Sequence, residues 1–400
     1  MKQNFLRDKN DKTAQAMRAA LKQCIVNGSS SIADFSRELS LSVPTATKIV
    51  GDLVEEGFLM DEGKLGTSGG RKPSIYGLNP KAGYFLGVDI ARQHFHIAVT
   101  DFKGDEVLYI QDIDYVLEAS SDSFREICTL IKEKVSKAGI PWPKILGAGI
   151  SLSGRVNPEK GFSFSYFLSD EFPIKDLFQM GLQLPISIEN DSRAMTYGEY
   201  LSLGDEADSN TIFINVSYGL GMGMILGGKL YYGNSGFSGE IGHFPLLDND
   251  VLCRCGKVGC LETGASGIAL KHILTESLKA GRRSSLSKVF KEKGELSLSE
   301  ILKAVEEEDI LAIEGVEKIG ETLGKGIAGL INVFNPGQVI IGGRLIVGKD
   351  YLMLPIKTAV NKYSLSKVSA DTKITFSQLG RKAASIGDCL LSRSRVLGII

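Results

Sequence analysis

Three closely spaced cysteines constrain the fold of this chain more than any other feature of its sequence. Cys253, Cys255 and Cys260 follow His243, and glycines between the cysteines permit a tight loop. One imidazole and three thiolates make up the ligand set of a closed tetrahedral zinc site, in which no coordination position stays open for catalysis. The alternative, free thiols beside an ordinary histidine, explains neither the spacing nor the glycines. The pattern therefore predicts a structural zinc ion.

Length, charge and hydropathy bound the rest of the architecture. At 400 residues, the chain exceeds the size at which single cores stop growing, which predicts two or three folding units. A formal net charge of -1 gives no overall attraction to nucleic acid, so DNA binding would need a local surface. The N-terminus lacks the apolar core of a signal peptide, and no long apolar run follows it. We therefore expect a cytoplasmic protein without a membrane partner.

Short helical patterns separated by capping residues occupy the N-terminal eighty residues. The expected elements are helices at about 13–26, 32–39 and 43–54 and strands at 58–60 and 74–78. Two short helices around a tight turn, followed by a hairpin, are typical of a winged helix-turn-helix domain. We therefore predict such a DNA-binding domain over residues 1–80.

The third of these helices is expected to enter the major groove of DNA. Its first turns carry small, polar or basic side chains that fit a groove, namely Ser42, Thr45, Ala46 and Lys48. The Gly-Gly-Arg-Lys-Pro segment is extended and basic, which predicts Arg71 in a narrow minor groove and Lys72 at a phosphate. The alternative is a helical protein-interaction module with a solvated basic loop.

Strands and helices alternate beyond residue 80, as in α/β proteins. The expected elements are strands at 85–90, 96–100, 107–110 and 145–151 and a helix at 123–138. A later strand ends in the polar residues Asn190 and Asp191 and passes into a helix, where α/β sheets usually bind ligands. Gly219, Gly221 and Gly223 interrupt the next two strands. Their spacing fits either a close approach to phosphate or ordinary hairpin packing.

The order of these motifs resembles that of the ROK family of repressors and sugar kinases. The segments that carry the resemblance are Leu-Gly-Val-Asp, Glu-Asn-Asp-Ser-Arg-Ala, Gly-Leu-Gly-Met-Gly, Gly-Glu-Ile-Gly-His, Cys-Arg-Cys-Gly-Lys-Val-Gly-Cys-Leu-Glu and Phe-Asn-Pro-Gly-Gln-Val-Ile-Ile-Gly-Gly. The resemblance covers nearly the whole chain, including the winged helix of the repressor branch. It implies an α/β fold in which a two-lobed, actin-like body of the sugar kinase or ribonuclease H-like type follows the winged helix-turn-helix domain.

This resemblance also implies domain boundaries and a sugar pocket. We expect the small lobe at 81–200, rejoined by about 382–400, and the large lobe with the zinc site at 201–381. The implied sugar-binding residues are Gly154, Asn190, Asp191, Glu240, His243 and Glu262. Zinc would fix the two glutamates, so that their carboxylates accept hydrogen bonds from sugar hydroxyls. The alternative for each residue alone is ordinary cap or surface polarity.

The segments that would hold ATP phosphates depart from those of the family's kinases. Where those kinases have Gly-Gly-Thr-Lys after the first aspartate, this chain has Ala-Arg-Gln-His, and a tyrosine replaces the threonine of the second loop. The degenerate positions and their neighbours are Asp89, Ala91, Gln93, Tyr218, Gly219 and Gly221. Loss of one such contact removes roughly 2.7 to 4 kcal/mol of transition-state stabilisation. Asp191, the base in the kinases, is therefore expected to bind a sugar hydroxyl without catalysing its phosphorylation.

These patterns favour a sugar-responsive transcriptional regulator that represses carbohydrate-utilisation genes. A sugar or sugar phosphate would bind between the lobes and change the spacing of two winged helices in a homodimer or homotetramer. Half-sites in the operator DNA would then lie roughly 34 to 36 Å apart. One alternative is an ATP-dependent sugar kinase with an added DNA-binding domain. Another is a regulator switched by a protein partner.

Overall fold

The computed structural model describes residues 11–64, 73–164 and 173–400. The chain divides into two compact units. The first unit ends at Asp191 and is rejoined by Ser385–Ile400, whereas the second comprises Ser192–Ala384. The separation of a DNA-binding domain at residue 80 stays a prediction.

Strands and helices alternate along the described residues, which confirms the predicted α/β class. The strands are β1 (Ser30–Ser31), β2 (Leu59–Lys64), β3 (Ser74–Leu78), β4 (Tyr84–Ile90), β5 (His94–Asp101), β6 (Glu106–Asp114), β7 (Ile145–Leu152), β8 (Val156–Asn157), β9 (Phe162–Ser163), β10 (Ile186–Asn190), β11 (Thr211–Val216), β12 (Leu220–Leu226), β13 (Lys229–Leu230), β14 (Gln338–Gly342) and β15 (Lys373–Phe376). The helices are α1 (Lys12–Asn27), α2 (Ile32–Glu38), α3 (Val43–Glu55), α4 (Ser121–Lys137), α5 (Ile174–Leu182), α6 (Asp191–Ser202), α7 (Gly267–Lys279), α8 (Ser287–Lys293), α9 (Leu298–Glu306), α10 (Ile310–Phe334), α11 (Lys349–Tyr363), α12 (Ser366–Ser369) and α13 (Ala383–Val396). None of these helices combines the length and hydropathy that crossing a bilayer requires.

Capping residues define the short helices of the N-terminal segment. Ser31 Oγ accepts a hydrogen bond from the main-chain N–H of Asp34, and the Asp34 carboxylate accepts one from the main-chain N–H of Ser31. Ser42 caps α3 by accepting from the N–H of Thr45 at 3.3 Å. Strands β1, β3 and β2 form an antiparallel sheet in that order. The predicted helices and the pairing of the two longer strands are therefore present.

A stack of aromatic rings joins the N-terminal elements to the remainder of the first unit. The centroids of Phe58 and Phe102 lie 5.5 Å apart, and those of Phe102 and Phe85 lie 6.0 Å apart. All three rings are buried. Nearby, Lys103 Nζ lies 3.1 Å from Glu62 Oε1 of β2. The N-terminal segment therefore contacts Phe102, directly after β5, and this ring in turn contacts Phe85 of β4.

The main sheet of the first unit has the strand order β10-β7-β4-β5-β6. Strands β5 and β6 run antiparallel to their neighbours, and β7 and β10 run parallel to β4. Helices α4 and α5 bury the face that carries Leu86 and Val88. Helix α13 covers the opposite face, where Gly87 leaves no room for a Cβ beneath the Ser385 carbonyl.

The sheet of the second unit repeats this pattern, with the strand order β13-β12-β11-β14-β15. Strands β12 and β13 pair antiparallel, and β14 and β15 run parallel to β11. Ile212 and Ile214 of β11 join the core formed with α7, α9, α10 and α11, whereas Phe213 packs with Met195 of α6 on the opposite face. Each unit therefore contains a mixed five-stranded sheet with helices on both faces.

Candidate functional site

The structure brings the predicted zinc ligands together in a single cluster, which we call the Cys3His cluster. The ligand atoms of His243, Cys253, Cys255 and Cys260 all lie within 4.8 Å of one another. Cys253 Sγ lies 3.6 Å from His243 Nδ1, and Cys255 Sγ lies 3.6 Å from Cys260 Sγ. Zinc–sulfur bonds of about 2.3 Å at tetrahedral angles separate ligand atoms by about 3.8 Å. The donor set and its spacing therefore fit a zinc ion.

Close main-chain packing positions the histidine side of this cluster. His243 ends the short 3-10 helix Ile241–His243. A Cβ on Gly242 would lie 2.5 Å from the Leu220 carbonyl oxygen of β12, so only glycine lets the segment approach the strand this closely. An isolated antiparallel bridge between Pro245 and Cys260 aligns the two sides of the loop. The cluster is thus assembled by a loop with little regular secondary structure.

Burial makes two of the three thiols in this cluster, Cys253 and Cys260, difficult to ionise without a cation. Burial, together with the neighbouring thiols, raises the pKa of Cys260 to about 12, and burial also raises the pKa of Cys253. A main-chain hydrogen bond from Lys257 lowers the pKa of the exposed Cys255 thiol instead. A divalent cation reverses the preference of the two buried thiols because it binds thiolates and displaces their protons. When bound, zinc would supply a cross-link for the loop between residues 243 and 260.

Two carboxylates that sequence comparison implied for sugar binding flank the Cys3His cluster. Glu262 Oε2 accepts a hydrogen bond from the N–H of Leu220 at 2.9 Å, and Glu262 Oε1 lies 3.9 Å from Cys253 Sγ. Glu240 Oε2 lies 3.9 Å from His243 Nε2, and about two-fifths of each side chain is exposed, at 41% and 39%. Glu262 is therefore fixed by β12, whereas Glu240 faces solvent.

The other polar residues predicted to bind sugar form a hydrogen-bonded group in the first unit. Asn190 Nδ2 donates to the Gly154 carbonyl oxygen and to Asp191 Oδ1, both at 2.9 Å. Ser153 Oγ donates to Asp191 Oδ2 at 2.9 Å. Asp191 is the first residue of α6, where the helix dipole stabilises a carboxylate. Asn190, Asp191 and Gly154 are thus adjacent, and sequence reasoning missed Ser153 beside them.

The glycines of the second predicted phosphate loop pack against a helix. Gly221 and Gly223 lie inside β12, where Cβ atoms would collide with the hydroxyls of Ser192 and Thr196 on α6. Gly219 adjoins Glu262, because its Cβ would lie 2.7 Å from the carboxylate. The sequence left open whether these glycines approach phosphate or serve packing. The contacts of Gly221 and Gly223 support the packing role.

Tyr218, predicted to replace a phosphate-facing threonine, contacts Arg254. Its hydroxyl oxygen lies 3.3 Å from Arg254 Nη2, and the guanidinium carbon lies 5.0 Å from the ring centroid. The tyrosine side chain is therefore engaged with the loop of the Cys3His cluster. The first degenerate segment is a tight turn, in which the N–H of Ala91 donates to the His94 carbonyl and Gln93 is exposed.

Asp89, near the end of β4, is partly buried and belongs to a polar group between the first sheet and α13. Ser151 Oγ lies 3.3 Å from Asp89 Oδ1 and 2.6 Å from Asp388 Oδ2 of α13. Burial, assisted by the charge of Asp191, raises the pKa of Asp89 to about 7. Burial also raises the pKa of Asp388 well above its usual value, with Asp89 and Glu189 contributing. Sequence reasoning missed Asp388 because it lies far along the chain.

The structure corrects one residue of the predicted DNA-binding set. Ser42, Thr45 and Lys48 are exposed on the first turns of α3. Ala46 is only 1% exposed, so the prediction that it contacts DNA is wrong: its methyl group packs into the core. Arg71 and Lys72 lie outside the described residues.

A second group of residues that could bind a metal ion lies where β5 pairs with β6. Atoms of His94, His96 and Asp112 lie within 4.8 Å of one another. However, the N–H of Asp112, at a φ of 52°, donates to His96 Nδ1 at 3.1 Å. A metal ion at that nitrogen would have to displace this bond. The Cys3His cluster is therefore the better-formed of the two sites.

Comparison with known proteins gives consistent matches over most of the chain. Residues 85–395 match the model of the ROK family. The xylose repressor of Caldicellulosiruptor bescii is 29% identical over 375 residues, which are 92% of this chain and 92% of that repressor. A solved ROK family transcriptional regulator, a homologue of the E. coli MLC protein, has a TM-score of 0.80 at 26% identity and covers 96% of this chain and 97% of its own.

A sugar kinase is also similar, over a smaller part of the chain. The solved ROK family glucokinase from Streptomyces griseus, in complex with glucose and AMPPNP, has a TM-score of 0.66 at 25% identity. The match covers 78% of this chain and 100% of the glucokinase. The regulators therefore match a larger share of the chain than this kinase does.

Proposed function

The chain belongs to the ROK family, and we propose from this premise that it is a sugar-responsive DNA-binding repressor of carbohydrate-utilisation genes. The observation that carries the proposal is coverage: the xylose repressor matches 92% of the chain, whereas the family model begins at residue 85. A kinase-like body alone leaves the N-terminal elements without a role. A repressor would use the N-terminal elements to bind DNA and the kinase-like body to bind the sugar.

We propose that the N-terminal elements form a winged helix-turn-helix domain whose α3 enters the major groove. The exposed side chains of Thr45 and Lys48 are proposed contacts to DNA, and Ser42 also caps the helix. Arg71 and Lys72 remain proposed contacts for the minor groove and the phosphate backbone. The double-stranded operator would be read by a homodimer or homotetramer, since two-fold symmetry matches palindromic half-sites.

Replacing Lys48 by alanine is expected to weaken operator binding roughly 10- to 100-fold, because one basic contact contributes about 1 to 3 kcal/mol. Fluorescence anisotropy at several salt concentrations measures both affinity and salt dependence. If Lys48 meets a phosphate, the salt slope falls by about 1. Lys288→Ala is the matched control because that lysine side chain is 85% exposed on α8. Equal losses in the two variants would contradict the proposed role of α3.

The proposed effector is a sugar or sugar phosphate. In the first unit, Asn190, Asp191 and the Gly154 main chain offer acceptors and donors for hydroxyl groups. In the second unit, Glu240, His243 and Glu262 are the proposed contacts, and zinc would hold the loop that bears them. D-xylose is the first probe, because a similar repressor carries that name.

We propose that the aromatic stack transmits the sugar signal within the first unit. The N–H of Phe58 donates to the Leu53 carbonyl of α3 at 2.8 Å, so Phe58 is tied to the proposed DNA-reading helix. Its ring contacts Phe102, which contacts Phe85 on β4. Asp89, near the other end of β4, is close enough to Asp191 to feel its charge.

The second candidate function is a sugar kinase, which the glucokinase match and the retained Asp191 favour. We propose that the chain is not an effective kinase, since Tyr218 is stacked on Arg254 and glycine is absent from the Ala91–Gln93 turn. An ATP turnover assay with a panel of sugars separates the two functions. Phosphorylation at about 1 per second or faster would overturn this proposal.

Anisotropy with DNA from the chain's own upstream region, titrated with sugars and sugar phosphates at fixed salt, tests the proposed function. Release of the DNA by one sugar supports the repressor and identifies its effector. Tight binding that ignores every sugar favours a switch operated by a protein partner. Absence of specific DNA binding contradicts the proposal and favours the kinase.

A further inference from the structure

A buried arginine in the second unit holds the loop that ends at Glu240. Arg193 of α6 is only 2% exposed. Its Nη1 donates to the Gly236 carbonyl oxygen at 2.8 Å, and its guanidinium carbon lies 5.6 Å from the Tyr232 ring centroid. Burial of a charged group is costly unless hydrogen bonds and neighbouring groups compensate it. These contacts stabilise the loop conformation, and they also compensate the buried charge of Arg193.

The loop itself has a backbone that needs external support. Gly233, Gly236 and Gly239 have φ values of 71°, 81° and 91°, in the left-handed region that favours glycine. The hydroxyl of Ser238 donates to the Tyr231 carbonyl at 2.7 Å and closes the base of the loop. Glycine-rich backbone loses more conformational entropy on ordering than other segments do. A contact in the middle of the loop therefore has a large effect on its order.

Two anchors fix the end of this loop, directly before Glu240. Arg193 holds Gly236, and Gly239 lies directly on the Met222 carbonyl of β12, where no Cβ fits. Glu240 follows the second anchor at once, and its side chain is 41% exposed. The position of the Glu240 main chain therefore depends on the loop end that the two anchors hold.

We propose that Arg193 is a positioning residue for the effector: it keeps the 232–240 loop in the conformation in which Glu240 accepts hydrogen bonds from the sugar. This inference rests on the proposed function and adds a specific requirement to it. An arginine suits the position because its planar guanidinium both donates to a carbonyl and lies over an aromatic ring. A lysine keeps the charge but lacks the planar fork.

The test compares the full-length protein with Arg193→Met and Arg193→Lys by calorimetric titration with D-xylose, D-glucose and N-acetyl-D-glucosamine. Arg193→Met is expected to weaken binding of the responding sugar roughly 10- to 100-fold, because it removes a hydrogen bond from a charged donor. Arg193→Lys should restore part of this loss. Zinc content and sugar-free DNA affinity should stay within about twofold of wild type, since neither depends on Glu240.

A second variant perturbs the same loop without touching the arginine. Gly236→Ala places a side chain at a φ of 81° and should reproduce the loss of sugar affinity. Gly281→Ala is the matched control, because Gly281 has a φ of 85° and open space around it. The double variant Arg193→Met with Gly236→Ala should lose less than the sum of the two single losses, since both act through one loop.

Unchanged sugar affinity in Arg193→Met overturns the inference and leaves the repressor function intact. A parallel fall in zinc content, DNA affinity and sugar affinity also overturns it, because that result describes a purely structural arginine. A wild-type protein that binds DNA but none of the sugars overturns the proposed function itself, and the inference with it. The wild-type titration therefore separates the two failures.

Discussion

Replacing Cys260 by serine is expected to abolish stoichiometric zinc binding and the response to sugar. The cysteine is 1% exposed and supplies one of the four proposed ligands. Structural zinc contributes about 10 to 16 kcal/mol to the folding of small zinc peptides, so loss of a ligand removes a large part of the loop's stability. Glu240 and Glu262 flank this loop, so we expect sugar affinity to fall at least about 100-fold. Metal analysis after gel filtration and calorimetry measure the two effects.

Cys128→Ser provides the matched control for this substitution. Cys128 is 3% exposed in the core of the first unit and does not belong to the Cys3His cluster. This variant should keep its zinc and its sugar affinity, whatever its cost in stability. Substitution by cobalt adds an independent readout, because thiolate ligands give charge-transfer absorption that Cys260→Ser should reduce. Full metal content in Cys260→Ser would contradict the proposed ligand set.

The Cys3His cluster was predictable because its members are close in sequence. Three of the four donors fall between Cys253 and Cys260, so ligand type and spacing sufficed. Helix starts were predictable for the same reason, since Ser31 and Ser42 cap helices through residues three positions away. Local chemistry thus accounts for the metal cluster and for most element boundaries.

Long-range packing decided the features that sequence reasoning left open or assigned wrongly. Ala46 has the size and polarity of a groove residue, yet the rotation of α3 buries it. Gly221 has the spacing of a phosphate loop, but its lack of a side chain admits Ser192 of α6. Arg193 looks like an ordinary surface residue until its contact with Gly236 is seen. Each case depends on a partner that only the folded chain brings near.

A contact between residues far apart in the sequence brings two carboxyl groups to one hydroxyl, that of Ser151. Ser151 Oγ is within hydrogen-bond distance of both Asp89 and Asp388, and it carries a single proton. Both contacts are hydrogen bonds only when one carboxyl group is protonated. Strand pairing places His96 and Ser151 opposite Asp89 and places Glu189 opposite Ser151. Arg395 Nη2 of α13 lies 3.2 Å from the Glu189 carboxylate.

This arrangement makes the protein's stability depend on pH in a defined direction. Burial raises the pKa of Asp89 from 3.8 to about 7 and raises the pKa of Asp388 well above 3.8. The folded state therefore binds these protons more tightly than the unfolded state does. Stability is largest below the unfolded pKa and falls as pH rises through the folded value, at up to about 1.4 kcal/mol per pH unit for each group.

Replacing Asp388 by asparagine is expected to flatten this dependence and to stabilise the protein at pH 8. The amide is neutral at every pH and donates to Ser151, so it replaces the protonated acid without a buried charge. Between pH 5 and pH 8 the variant should lose less unfolding free energy than wild type, by at most about 1.4 kcal/mol per pH unit. Urea unfolding at each pH measures the difference. Asp122→Asn, with a side chain 88% exposed, is the control and should follow wild type. A wild-type stability that rises between pH 5 and pH 8, or an Asp388→Asn slope equal to wild type, would show that the buried carboxyl groups are not protonated in the folded protein.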